Sequence, residues 1–371
     1  MKKLIILLAV ILLVIIVVIF SGKDSRTSVS ETAVGIAWNC DSDDEIRLSD
    51  IADTVSLLPL ETTKQSLIGE VSKLVSGKDA FYILDKNYMS GIFVFKSQTG
   101  QFVCRIGKVG NGPGEYNRID DFSLDENQQV IYALCDKNKI ITYTLSGDLV
   151  AEQTLPFFAS AMEFWNETFY FVVNDKDNSN LIVTDKNLKV VSSYFPNSEY
   201  GNKQRVLVHP FQKTENGVYY RRFLDNNMYK INQKGELSLA YKIDLGANSF
   251  SLDEAKSLTL EEMKEKLKSS RCHIKYFTEN SQYALIVFHD NNIPYLSVYD
   301  KREGTSKTSS LELPIDNFLG MEYVLPEYVS SNDEFIVVVA PEQANELASK
   351  VDMPHVSEDS NPVLYILHAK K

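Results

Sequence analysis

The sequence predicts an all-β protein: a six-bladed β-propeller of four-stranded antiparallel blades, with an N-terminal strand closing the last blade. Three observations carry this reading. A strand–Asp–Asn–strand–turn unit recurs at the ~40–50-residue spacing of a propeller blade. Among 371 residues, 44% are apolar and 19 are Tyr and 19 Phe, which favours strands and excludes disorder. The last unit lacks an outer strand, and a spare strand lies near the N-terminus.

In chain order, Lys2 and Lys3 precede Leu4 to Phe20, a run without a charge or strongly polar group. As a helix at about 1.5 Å per residue it spans roughly 25 Å, just short of a ~30 Å hydrocarbon core. A cleaved signal has a shorter apolar run and a small-residue cleavage site. Here bulky Val17-Val18-Ile19-Phe20 leads only to Ser21-Gly22, which puts an uncleaved anchor ahead of a cleaved leader. Either way the lysines stay inside and the body is exported. The expected organisation is a signal or membrane anchor over 1–22, a flexible Ser-, Thr- and Asp-rich tether over 23–44, and the propeller over 45–371. The expected location is the cell envelope, anchored in the inner membrane facing the periplasm, or released or surface-exposed after cleavage.

The repeat begins with Phe81-Tyr82-Ile83-Leu84-Asp85, then Asn87, Ile92 to Phe95 and a turn at Thr99-Gly100. Ile131 to Asp136, Asn138, Ile140 to Tyr143 and Ser146-Gly147 form the second copy. The third runs from Phe169 through Asp175 and Leu181-Ile182-Val183 to Asn187. In the fourth, Val218-Tyr219-Tyr220 leads to Asp225-Asn226-Asn227, Met228 to Ile231 and Lys234-Gly235. Ala284 to Asp290, Asn291-Asn292, Tyr295 to Tyr299 and Glu303-Gly304 make the fifth. The aspartates follow one another at 51, 39, 50 and 65 residues. Asp followed by Asn suits tight connections between antiparallel strands, because these short side chains bond the local backbone and tolerate left-handed conformations. A solenoid would leave two ends to cap, whereas a ring has none.

The long fourth step holds a helical insertion near 251–269. Ser251 with Glu254 and Thr259 with Glu262 make two capping boxes, and Leu260, Met263 and Leu267 share a face. The sixth unit contains a strand over Phe335 to Ala340 and a short helix near 341–351, opened by Pro341 and striped by Ala344, Leu347, Ala348 and Val351. Its last strand is Val363 to Leu367. Residues 45–60 supply the missing outer strand, since a blade with an open edge would be costly. Cys40, Cys104, Cys135 and Cys272 form no metal-binding spacing, and Cys104 and Cys135 read as buried free thiols.

Arg105-Ile106-Gly107-Lys108-Val109-Gly110-Asn111-Gly112-Pro113-Gly114-Glu115-Tyr116 is the most distinctive stretch. A G-x-x-G-x-G-P-G-E-[FY] run after a strand resembles NHL-type propeller repeats. With Val55 to Thr63 and Leu67-Ile68-Gly69, it makes the chain similar to six-bladed propellers of exported lipoproteins, over about residues 45–368. Such proteins usually end their signal in a lipid-accepting Cys; Phe20-Ser21-Gly22-Lys23 has none, and an apolar anchor is the natural substitute. The glycines do not read as a phosphate loop, because no helix follows Pro113. They suit a crossing between blades.

In a four-stranded blade, the crossing to the next blade and the connection between strands two and three emerge on one face. That expectation gathers Asn111, Glu115, Tyr116 and Arg118 with Asp85, Asp136, Asp225 and Asp290 as candidate binding residues around one channel mouth. Arg221 and Arg222 precede Asp225; neighbours in a strand point to opposite sides, so one of them should face the channel or a groove. The body after the leader carries 36 basic and 50 acidic residues, which repels phosphate and excludes nucleic acid as a partner. No residue pattern implies a cofactor, a metal or a catalytic set: His209, His273, His289, His355 and His368 lack HxH or HExxH spacing. The reading is a membrane-tethered binding module for a glycan, peptide or protein. The alternative is a propeller hydrolase or lyase with a divalent metal in its channel, since NHL-like lyases use channel histidines on a metal.

Overall fold

The recurring aromatic and β-branched runs pair into six antiparallel four-stranded sheets in the computed structural model. The structure describes residues 33–37, 45–175, 177–199, 207–232, 236–312, 318–320, 325–348, 350, 353 and 355–370. The apolar run 4–20, most of the expected tether and Cys40 lie outside these residues.

Blade 1 consists of Lys73–Ser76, Ala80–Asp85, Gly91–Lys96 and Phe102–Ile106, in sequence order from the channel outward, and blade 2 of Ile119–Asp125, Val130–Cys135, Lys139–Thr144 and Leu149–Thr154. Blade 3 follows with Ala161–Trp165, Thr168–Val172, Ser179–Asp185 and Val190–Pro196, and blade 4 with Phe211–Thr214, Gly217–Arg221, Asn227–Ile231 and Leu237–Asp244. Cys272–Glu279, Tyr283–Asp290, Ile293–Asp300 and Thr305–Ser310 build blade 5. Blade 6 takes Tyr328–Val329, Phe335–Val339 and Val363–Ala369 from the end of the chain, and its outer strand, Ala52–Pro59, from the beginning.

Each blade buries apolar side chains against both neighbours, so there are as many apolar seams as blades. Phe122 and Ile131 fill the seam between blades 1 and 2, Phe164 and Phe169 that between 2 and 3, and Tyr220 and Ile231 that between 3 and 4. Ile243 and Ile286 lie between blades 4 and 5, Leu296 and Tyr365 between 5 and 6, and Ile336 and Phe93 between 6 and 1. The last seam has no counterpart in an open stack. The ring is closed.

Closure uses the predicted N-terminal strand. Val55 pairs with Leu367, Leu57 with Tyr365 and Pro59 with Val363. Buried Asn361 fastens the seam: its Nδ2 donates to the Glu61 and Ser66 carbonyls at 2.8 Å each, and its Oδ1 accepts from Ile68 N–H at 2.8 Å. Such a fully satisfied buried amide fixes one register.

The structure departs from the sequence expectation within the tether. Val34–Ala37 is a strand, parallel to Leu237–Asp244 on the outer edge of blade 4, with Val34 opposite Tyr241 and Ala37 opposite Asp244. The cause is local: Ile36 buries its side chain in the seam of blades 4 and 5, and the four residues cover a sheet edge that would otherwise stay unpaired. Both predicted capping boxes open helices, α1 (Leu252–Ala255) and α2 (Leu260–Ser269), in the insertion. Met263 is fully buried there against Phe223 and Phe250. The short helix of the last unit, α3, is Pro341–Ala348. No described helix is long and apolar enough to cross a membrane. Cys135 and Cys272 are buried free thiols, and Cys104 is free and half-buried.

Candidate functional site

Four antiparallel strands give each blade two ends. The hairpins between strands one and two, and between three and four, turn on one face; strands two and three connect on the other, where each blade also hands over to the next. A cavity of about 1580 Å³ opens on the first of these, the hairpin face. It occupies the channel mouth and extends outward between blades 4 and 5, where Tyr219, Lys230, Tyr241 and Lys301 line it.

One of its lining residues, Lys213, belongs to a network of charges that the inner strands carry among apolar neighbours. Lys73 of blade 1 reaches Asp121 of blade 2 at 2.9 Å and Glu163 of blade 3 at 3.6 Å, and Lys213 of blade 4 reaches Glu163 at 3.3 Å. Ser123 donates a hydrogen bond to Glu163 as well. The lysines spend their remaining protons on strand carbonyls: Lys73 on Phe122 at 2.7 Å, Lys213 on Leu124 at 2.6 Å and Phe164 at 3.3 Å. Burial opposes the charge of Glu163, yet Lys213 and Lys73 outweigh it and hold its carboxyl below the ordinary value. For Asp121 burial prevails and raises the carboxyl, against the pull of Lys73. Two cations and two anions therefore tie four inner strands together across the channel.

The side arm is organised by Glu279. Its carboxylate accepts from Tyr241 at 2.6 Å and pairs with Lys301 at 3.0 Å. The Gln212 side chain brackets the Glu279 backbone, donating to its carbonyl at 2.7 Å and accepting from its N–H at 2.9 Å. These bonds join the inner strands of blades 4 and 5. Burial lowers the Lys301 ammonium despite Glu279, and burial followed by Glu279 drives the Tyr219 and Tyr241 hydroxyls far above the usual phenol range. Both phenols remain protonated donors.

Six of the 27 lining residues are carboxylates, six are carboxamides and three are lysines. Asn127 and Gln128, Trp165 and Asn166, and Asn216 come from the first hairpins of blades 2, 3 and 4. The cavity thus offers many short-range donors and acceptors, with Trp165 half-buried at its edge.

The ten residues singled out in the sequence occupy the opposite face or its loops, and none lines this cavity. Asp85 is fully buried and accepts from Gly69 N–H at 2.7 Å and Tyr88 N–H at 2.9 Å. Asp136 accepts from the N–H groups of Asn117 and Arg118, both at 3.1 Å. Asp225 holds Asn227 N–H at 3.0 Å and the Tyr229 hydroxyl at 2.9 Å, while Asp290 pairs with Arg271 at 2.8 Å. The glycine-rich run folds back as a parallel pair, Lys108–Val109 with Glu115–Tyr116. Glu115 closes it, accepting from Lys108 at 2.6 Å and Gly112 N–H at 2.8 Å. The hydrogen bond from Lys108 holds the Glu115 carboxyl below its ordinary value.

Tyr116 is buried and donates to the Ser90 carbonyl at 2.8 Å, over Gly107, whose φ of +85° and close approach to the ring leave no room for a Cβ. Arg118 pairs with Asp120, its Nε at 2.8 Å. Asn111 is exposed at the loop tip. Arg221 and Arg222 are both buried. The former donates to the carbonyls of Ile274 at 2.7 Å, His209 at 3.2 Å and Val208. The latter meets Asp225 at 3.4 Å and stacks 4.0 Å over the Phe195 ring.

The histidines are dispersed. His209 sits in the channel with Nε2 at 3.2 Å from the Tyr328 hydroxyl, and burial, then Lys73 and Arg221, push its imidazole down to about 3. His368 bonds Glu334 at 2.7 Å and Ser56 at 2.9 Å. Among the described residues no three of His, Cys, Asp and Glu gather in a way that could hold a metal ion.

Residues 32–368 match a family described as a domain of unknown function, DUF4934. No curated protein matches the sequence. Among solved structures, a "Putative exported protein" from Bacteroides fragilis NCTC 9343 is similar with a TM-score of 0.73 at 18% identity, over 92% of this chain and all of that one. A member of the DUF4221 family from Bacteroides vulgatus ATCC 8482 gives a TM-score of 0.51 at 11% identity, over 88% of this chain and 98% of that one. Both likenesses are likenesses of fold.

Proposed function

The chain belongs to the DUF4934 family of domains of unknown function, and we propose that it is an exported, membrane-tethered binding module that seats a glycan in the cavity of its hairpin face. The lining of that cavity carries the reading. Its volume of about 1580 Å³ exceeds the ~300–1,000 Å³ of ordinary small-molecule sites, which suits several linked sugar rings. Twelve of its residues end in a carboxamide or carboxylate; all of them accept from sugar hydroxyls, and the six carboxamides donate as well. Trp165 adds an apolar face with a polar edge. Six carboxylates against three lysines disfavour a polyanion.

Export and tethering rest on the uncharged run 4–20 behind two lysines, and export accords with the similar Bacteroides fragilis protein being described as exported. Removing residues 1–22 should leave the protein in the cytosol, as cell fractionation would register. The glycan itself is tested by array screening of the purified chain, followed by calorimetry with wild type and Trp165→Ala. Binding that weakens about tenfold or more in the variant supports the reading. Absence of carbohydrate binding, together with turnover of a small substrate, would replace it with the hydrolase or lyase alternative.

A further inference from the structure

The three lysines of the cavity wall are unequally satisfied. Lys213 is paired with Glu163 and Lys301 with Glu279. Lys230, half-buried on the third strand of blade 4, is different. Its Nζ stands 3.2 Å from the Tyr219 hydroxyl and 4.8 Å from that ring's centroid. Among the described residues it has no carboxylate within ion-pair distance; the neighbouring acid, Glu279, is already engaged by Tyr241 and Lys301. The Tyr219 hydroxyl oxygen accepts from Lys230, and the ammonium itself lines the cavity. A half-buried ammonium without a counter-ion is stabilised by any anion that reaches it.

We propose that Lys230 forms an acid-recognising subsite, pairing with one carboxylate on the bound glycan, as a uronic acid residue would present. The proposal rests on the glycan reading above. Lys230 selects the charge, and the acidic residues of the mouth, Asp125, Glu126, Glu167 and Glu215, limit how much of it is admitted. The glycan that fits carries a single acidic sugar among neutral ones. A densely sulfated chain does not fit.

The test uses the full purified chain and three probes: a neutral tetrasaccharide, the same tetrasaccharide ending in glucuronic acid, and a heparin tetrasaccharide. Wild type is expected to bind the glucuronate-terminated probe about 10- to 100-fold more tightly than the neutral one, as a charge-assisted bond allows. High salt should erode that preference. Lys230→Met retains the aliphatic stem and should bring the two probes to equal affinity, whereas Lys230→Arg should keep them apart. Equal affinities in wild type, a preference that survives in Lys230→Met, or tightest binding of heparin would each overturn the subsite. Failure of all three probes to bind would remove the glycan reading and the subsite with it. If Lys230→Met does not fold, the wild-type preference and its salt dependence decide.

Discussion

Acidification from about pH 7.5 to about pH 5 should cost the ring about 2 kcal/mol through one side chain, His209. Burial, then Lys73, Arg221 and Lys86, depress its imidazole from 6.5 to about 3. An unfolded chain takes up this proton below about pH 6.5, while the folded chain refuses it until about pH 3. Within that window the unfolded state binds more protons, so stability is complete above it and drains away as the pH falls through it. About 1.5 units into the window, at ~1.4 kcal/mol per unit, the loss is about 2 kcal/mol. His209→Asn removes the titration without straining the backbone, because φ here is 48° and Asn tolerates the left-handed region. Urea unfolding of both proteins at the two pH values isolates the term: wild type should lose about 2 kcal/mol more than the variant. Identical losses, or an NMR titration with an ordinary imidazole pKa, would refute the reasoning.

Other perturbations read other parts of the molecule. Glu163→Gln leaves Lys73 with Asp121 and takes from Lys213 the carboxylate it pairs with, and should cost about 3 kcal/mol in denaturant unfolding. Lys186→Gln, which breaks an exposed pair with Glu167, should leave the denaturant midpoint unchanged, since solvent screens such pairs. Gly100 has φ +68°, and a Cβ there would strike the carbonyl oxygen of Pro59 in the closing strand. Gly100→Ala should therefore cost about 3 kcal/mol and lower the melting temperature. Deleting residues 1–60 strips the outer strand from Val363–Ala369; size-exclusion chromatography should then show aggregates instead of one discrete species.

Much of this ring could be read from residue order. The Asp–Asn punctuation located the blades because such turns need side chains that bond their own backbone, and the capping boxes at Ser251 and Thr259 located helices because they satisfy free N–H groups. Closure was legible as a strand deficit at one end and a surplus at the other. The strand Val34–Ala37 was not, since its single buried residue, Ile36, sets no periodicity in four residues.

The cavity is not legible in the sequence either, for another reason. Asn127, Asn166 and Asn216 resemble any hairpin polar residue, and only closure of the ring brings them to one mouth. A signal did exist in the inner strands. Glu163 interrupts Ala161–Trp165, and Asp121 lies among the apolar residues of Ile119–Asp125. A charge at such a place must be matched from another strand, and matching Lys73 and Lys213 to these two would have pointed to the channel.

The strand Val34–Ala37 runs parallel to the final strand of blade 4, which leaves the hairpin side and finishes on the crossover side. A polypeptide travelling in that direction must enter from the hairpin side. Val34 consequently stands on the side of the rim that carries the cavity and Ala37 on the side of the crossings, as a stem meets a cup at its lip and not its base.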